Sequence, residues 1–76
     1  MDYKRRIRDI REDRDLKQKE IAEVLGIRQN VYSRYETGFN EMPIRHLAEL
    51  CKYYNLSGDY IMGLIDEPRP LYGRRI

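Results

Sequence analysis

The stretch "GIRQNVYSRYETG", Gly26 to Gly38, decides the reading of this chain. It sets Arg28, Gln29 and Asn30 in a row, then Val31, Tyr32 and Tyr35 at helical intervals, and closes on a second glycine. One amphipathic helix reaching about Thr37 accommodates both kinds of residue, with Val31, Tyr32 and Tyr35 inward and the long polar side chains outward. Gly26 and Gly38 suit the left-handed backbone that stops a helix.

Immediately upstream, Ile21, Ala22 and Leu25 form the stripe of a shorter helix beginning near Gln18. Two short helices joined by a tight turn at Gly26 have the sequence shape of a helix-turn-helix. Counting from Gln18, a small Ala22 permits close helix approach and Ile27, Tyr32 and Tyr35 seal the pair.

The same periodicity extends to both sides. Tyr3, Ile7 and Ile10 make a narrow apolar stripe in a charged helix from Tyr3 to Arg14, for which Asp2 is the expected N-cap. Arg5 with Asp9 and Arg8 with Glu12 are spaced as ion pairs on its solvated face. Beyond the loop "FNEMP", Pro43 fits the first turn of a fourth helix whose apolar residues are Ile44, Leu47, Ala48, Cys51 and Tyr54, with Leu50 alongside. A turn at Asn55 and an N-cap at Ser57 precede a last helix carrying Tyr60, Ile61 and Leu64. The expected architecture is all-α, a compact five-helix domain over residues 1–65, with 66–76 as a short extended tail.

Composition narrows the function classes. The 76 residues suffice for one small core, and the only cysteine and only histidine provide neither a disulfide nor a Cys/His zinc set. The expectation is a core built by helix packing, no cofactor and no metal. A lone cysteine and the lack of any long apolar run lead to an expectation of a soluble, cytoplasmic protein without a membrane partner. Fifteen Lys plus Arg against 13 Asp plus Glu leave a net charge of only +2, so partner choice depends on where the charges sit.

The segments "RIRDIREDRDLKQKEIAEVLGIRQNVYSRYETG" and "LAELCKYYNLSGDYIMGL" resemble the phage-repressor and Cro-like (XRE-type) helix-turn-helix regulators over about residues 3 to 65. The resemblance implies a lambda-repressor-like fold of bacterial or phage origin and transcriptional regulation, as a repressor, through a short double-stranded DNA operator. In such folds the second helix of the motif lies in the major groove. Gln29, Asn30 and Arg34 match the base-reading positions, with Ser33 beside them. Their chemistry agrees: Gln and Asn pair with adenine N6 and N7, and Arg with guanine O6 and N7. Gln18 matches a family position that meets the DNA backbone at a helix N-terminus. Lys17, Lys19 and Arg28 at the two helix starts, and Asn40 in the following loop, are further phosphate candidates, and Arg45 is a weaker one. Arg11 and Glu36 match positions that form an internal ion pair.

Lys17 and Arg28 depart from the family, which usually has small hydroxyl residues at those helix starts; neither can accept a backbone proton. Asp15 with Gln18 has capping-box spacing, and Asn30 could begin the third helix later. The large Tyr32 is expected to turn its ring inward while its hydroxyl reaches a phosphate. Homodimerisation on two half-sites is expected on DNA. An antitoxin-like or adaptor protein, gripping a protein partner through Tyr60, Ile61, Leu64 and the tail, is the rival reading. An enzyme is disfavoured: His46 stands alone and no Gly-rich phosphate loop follows a strand.

Overall fold

The computed structural model describes residues 1–72. Among them are five helices and no strand: α1 Tyr3–Asp13, α2 Gln18–Leu25, α3 Gln29–Thr37, α4 Ile44–Tyr54 and α5 Gly58–Ile61. None is long and apolar enough to cross a membrane. Helix α3 lies against α2 and α1, while α4 supports α2 and carries α5 back toward α1. The core sits where these helices meet, with Ile7, Ile21, Tyr32, Leu50 and Ile61 fully buried at its centre.

Local chemistry explains the boundaries. Asp2 accepts the Lys4 N–H at 2.7 Å and caps α1. The expected pairs Arg5–Asp9 and Arg8–Glu12 lie on its exposed face at 3.4 and 3.1 Å. Asp15 does not cap α2. It takes a left-handed backbone, φ 58°, in the turn after α1, while Leu16 N–H returns to the Arg11 carbonyl. The reciprocal bond at the start of α2 comes instead from Lys17 N–H to the Glu20 carboxylate at 2.8 Å.

Two expected stripes need correction. In α4, Ile44 is 82% exposed and Ala48 is exposed as well, whereas His46 is buried. Residues advance about 100° each around a helix. With Leu47 and Tyr54 central and Leu50 and Cys51 flanking, Ile44 and Ala48 therefore fall beyond the Cys51 edge and His46 beyond the Leu50 edge. His46 Nδ1 and the Tyr35 hydroxyl share a buried hydrogen bond at 3.1 Å.

The last helix is shorter than its apolar residues suggest, and Leu64 lies outside it, 71% exposed. Gly63 ends it with φ 83°, and a Cβ there would come within 1.7 Å of the Met1 carbonyl oxygen. The N-terminal residue and the segment after α5 pass closely here because only glycine leaves room. Arg6 fastens the same crossing. Although only 4% exposed, it donates through Nη1 to the Tyr60 and Ile65 carbonyls at 2.6 and 3.1 Å, and its guanidinium lies 4.1 Å from the Tyr60 ring centroid.

The described part of the tail is non-helical and docks on the turn before α5. Ser57 N–H donates to the Arg69 carbonyl at 2.7 Å, and Leu71 packs against the core. The expectation for residues 73–76 lies outside the described residues.

Candidate nucleic-acid interface

The α2–α3 pair is built around three small or aromatic contacts. Ala22, 2% exposed, lets α3 approach α2, and the Tyr32 and Tyr35 rings meet edge to face at 6.2 Å beneath α3. Gly26, at φ 70°, closes α2 by donating its N–H to the Ala22 and Glu23 carbonyls, and Ile27 N–H follows to Ala22 at 3.0 Å. The left-handed step is cheap for glycine and turns the chain into α3 within two residues.

Arg28 is the extended residue before α3, with no side-chain cap, and Val31 and Tyr32 N–H both donate to its carbonyl at 3.1 Å. Helix α3 therefore starts at Gln29 rather than at Asn30, which places Gln29 in the first turn. Asn30 and Arg34 are exposed and Ser33 is half-buried on the side of α3 away from Tyr32 and Tyr35, and Gln29, also exposed, lies toward the Tyr32 edge in the first turn. Lys17, Lys19, Arg28 and Asn40 are also exposed.

Tyr32 departs from its expected role. The ring packs inward, but so does the hydroxyl: the residue is fully buried and its oxygen has no hydrogen-bond partner. Burial, followed by the nearby Glu36 carboxylate, pushes this phenol far above its ordinary range. A phosphate outside the fold is out of its reach.

Glu36 organises the inner side of the pair. Arg11 donates to it twice, Nε to Oε2 at 2.8 Å and Nη2 to Oε1 at 3.1 Å, and the Gln18 amide donates to Oε1 at 3.0 Å. The third Arg11 nitrogen, Nη1, holds the Leu16 carbonyl at 2.8 Å. One carboxylate thus ties α1, the start of α2 and the end of α3. Burial alone would raise its pKa, but the Arg11 and Gln18 donors outweigh that and hold it below the ordinary carboxylate value. Gln18 is consequently half-buried and engaged, and it borders an open cleft with Arg8, Arg11, Glu36 and Thr37.

Charge is distributed unevenly. Arg5, Arg6, Arg8, Arg11, Lys52 and Arg69 each lie near a carboxylate. Among the described residues Lys17, Lys19, Arg28 and Arg34 have no such partner, a property shared with Lys4, Arg14 and Arg45. Lys17 and Arg28 moreover stand at the positive ends of two helices, where a cation is disfavoured by about 0.3–1 kcal/mol.

Sequence reasoning missed Phe39. It is 74% exposed just past α3, with the Arg34 guanidinium 5.2 Å from its ring centroid. A large aromatic following the stop glycine was the available signal.

An exposed polar helix carried on an aromatic base, with a glycine turn before it and an ion pair behind it, defines a helix-turn-helix protein. Residues 7–61 match the helix-turn-helix family HTH_3, and the chain belongs to that family. Over 73 residues it is 36% identical to the uncharacterized HTH-type transcriptional regulator YobD of Bacillus subtilis (strain 168), spanning 96% of this chain and 65% of YobD. It is 35% identical over 54 residues to the cryptic phage CTXphi transcriptional repressor RstR of Vibrio cholerae, spanning 71% of this chain and 49% of RstR. A crystal structure of a transcriptional regulator from Listeria innocua superposes with a TM-score of 0.78 at 26% identity, over 86% of this chain and 61% of that one. The chain thus spans about half to two thirds of the length of these relatives.

Proposed function

We propose that this chain is a sequence-specific DNA-binding domain that regulates transcription, as a repressor, by laying α3 in the major groove of a short operator. The exposure of Gln29, Asn30 and Arg34 on α3 carries this reading. Bidentate amides favour adenine and a guanidinium favours guanine, so these residues read bases, with Ser33 filling between them. Lys17, Lys19 and Arg28 serve phosphates, as does the α2 start. There Gln18 and Arg11 face an open cleft while Glu36 fixes their direction. Asn40 contributes at the far end of α3.

A second copy on an adjoining half-site, about 34 Å away, would supply the affinity that one small domain lacks. Of the residues expected to serve a partner at the last helix, Ile61 is fully buried and Tyr60 lies under Arg6, leaving Leu64 exposed. This disfavours an adaptor that grips its partner through the last helix.

Selection from random duplexes at two salt concentrations tests the reading. The expected result is an enriched inverted repeat whose binding weakens steeply with salt. Arg34→Ala should lose about 1–3 kcal/mol and relax one base pair, whereas Gln18→Ala should weaken all sequences alike. Enrichment of no sequence by the folded protein would refute it.

A further inference from the structure

We propose that Phe39 is a positioning residue for base recognition, holding Arg34 so that it favours guanine at one position of the operator; this rests on the DNA-binding reading above. Phe39 belongs neither to the core nor to the apolar cleft formed by Tyr3, Met42, Ile44, Leu47 and Met62. Its ring lies against Arg34, 5.2 Å from guanidinium carbon to ring centroid, and stays 74% exposed.

The backbone fixes that placement. Thr37 Oγ1 donates to the Arg34 carbonyl at 3.3 Å and accepts the Phe39 N–H at 3.4 Å. Asn40 N–H donates to the same carbonyl at 3.1 Å. The turn that carries the ring is therefore pinned to the residue whose guanidinium lies beside the ring. Among the described residues no carboxylate competes for this guanidinium.

Stacking and reading use different parts of the group. A guanidinium held beside an aromatic ring can turn its face to that ring, while guanine O6 and N7 take the N–H groups along its edge. A side chain already oriented loses less freedom when it binds. An exposed cation–π contact corresponds to a bias of about two- to fivefold.

Duplex selection with the full chain tests the assignment. Wild type should enrich a motif containing a guanine whose preference disappears in Arg34→Ala. Phe39→Ala should lower that same preference about two- to fivefold and leave other positions unchanged. Phe39→Trp should retain it, and Phe39→Leu, which keeps apolar bulk without an aromatic face, should behave like Phe39→Ala. In an Arg34→Ala background, Phe39→Ala should change nothing further.

An unchanged base profile in Phe39→Ala, an equal loss on every duplex, or full function in Phe39→Leu would overturn the role of Phe39 while leaving the DNA-binding reading intact. If wild type enriches no motif, both fall together. Far-UV circular dichroism of each variant should match wild type, since the ring is outside the core.

Discussion

Replacing Glu36 by Ala isolates the contact that holds the α2–α3 pair to α1. The Glu36 side chain is 3% exposed and that of Arg11 12%. Truncation strands the guanidinium and also deprives the Gln18 amide of its acceptor. Breaking one half of a buried ion pair costs about 3–5 kcal/mol. Here Arg11 keeps the Leu16 carbonyl and a longer contact to Glu12 at 3.8 Å, and it borders an open cleft. A loss at or just below the bottom of that range, about 2–3 kcal/mol, is therefore expected. For a domain this size that lowers the melting midpoint by about 8–24 °C.

Thermal unfolding followed by circular dichroism measures the change. Arg11→Met with Glu36→Leu should recover most of the loss, because it removes the stranded charge as well as its partner. The Glu36 carboxyl is depressed below its ordinary value of 4.5, so its stabilisation is present above that pH and disappears as acid protonates it through the lower folded value. The gap between wild type and Glu36→Ala should consequently close below about pH 4.5. An unchanged midpoint at neutral pH would refute the structural role of the pair.

Three further predictions follow from single positions. Arg28→Ser supplies the missing side-chain acceptor at the start of α3, so it should stabilise the free protein by about 1 kcal/mol. Under the proposed function it should also weaken DNA binding and reduce the salt slope by about 1, and a variant that gains stability without losing affinity would remove Arg28 from the phosphate contacts. Gly26→Ala meets no atom within 4 Å and should cost about 1–2 kcal/mol for its left-handed backbone alone, whereas Gly63→Ala adds a collision with Met1 and should cost more. Equal urea midpoints for the two would refute the close crossing. Burial, with Arg45 second, lowers the His46 pKa below 6.5, so His46 contributes stability above that value that is lost as pH falls toward the folded pKa. An NMR titration midpoint at or above 6.5 would contradict its buried position.

Helices α1 to α3 were legible because each carries a clear period and a local boundary signal: the N-cap Asp2 before α1, and the stops Gly26 after α2 and Gly38 after α3. The exposure of Gln29, Asn30 and Arg34 on α3 was legible for the same reason, since Tyr32 and Tyr35 take the inward positions. What failed depended on contacts distant in sequence. Apolar letters placed Ile44 and Ala48 in the core, but the neighbours of α4 select a face that takes His46 instead, because Tyr35 offers it a hydrogen bond. The burial of Arg6 in a charged helix depends on the Tyr60 and Ile65 carbonyls, more than fifty residues away in sequence. Tyr32 was misjudged at a single atom, its hydroxyl, whose direction no periodicity reports. The Phe39–Arg34 contact required knowing how the chain turns after Gly38.

Helix α1 provides an internal comparison for the meaning of the unpaired cations. Its exposed surface is as charged as any in the chain, yet Arg5 and Arg8 are matched by Asp9 and Glu12 one turn later. At α2 and α3, Lys17, Lys19, Arg28 and Arg34 have no carboxylate partner among the described residues, as Lys4, Arg14 and Arg45 have none; Glu20, the acid in the first turn of α2, is engaged by the Lys17 N–H, and Glu23 is exposed. Two of these cations stand where the helix dipole opposes them and where a Ser or Asp would have capped the helix. Each choice weakens the isolated domain by a fraction of a kcal/mol to about 1 kcal/mol. A phosphate at either helix start reverses both effects, because it accepts the open N–H groups and neutralises the cation beside them. Residues that conflict locally with stability are expected where a ligand supplies the missing partner. The anionic backbone of DNA is that ligand under the proposed function, which makes Lys17 and Arg28 the residues whose cost and use are most directly linked.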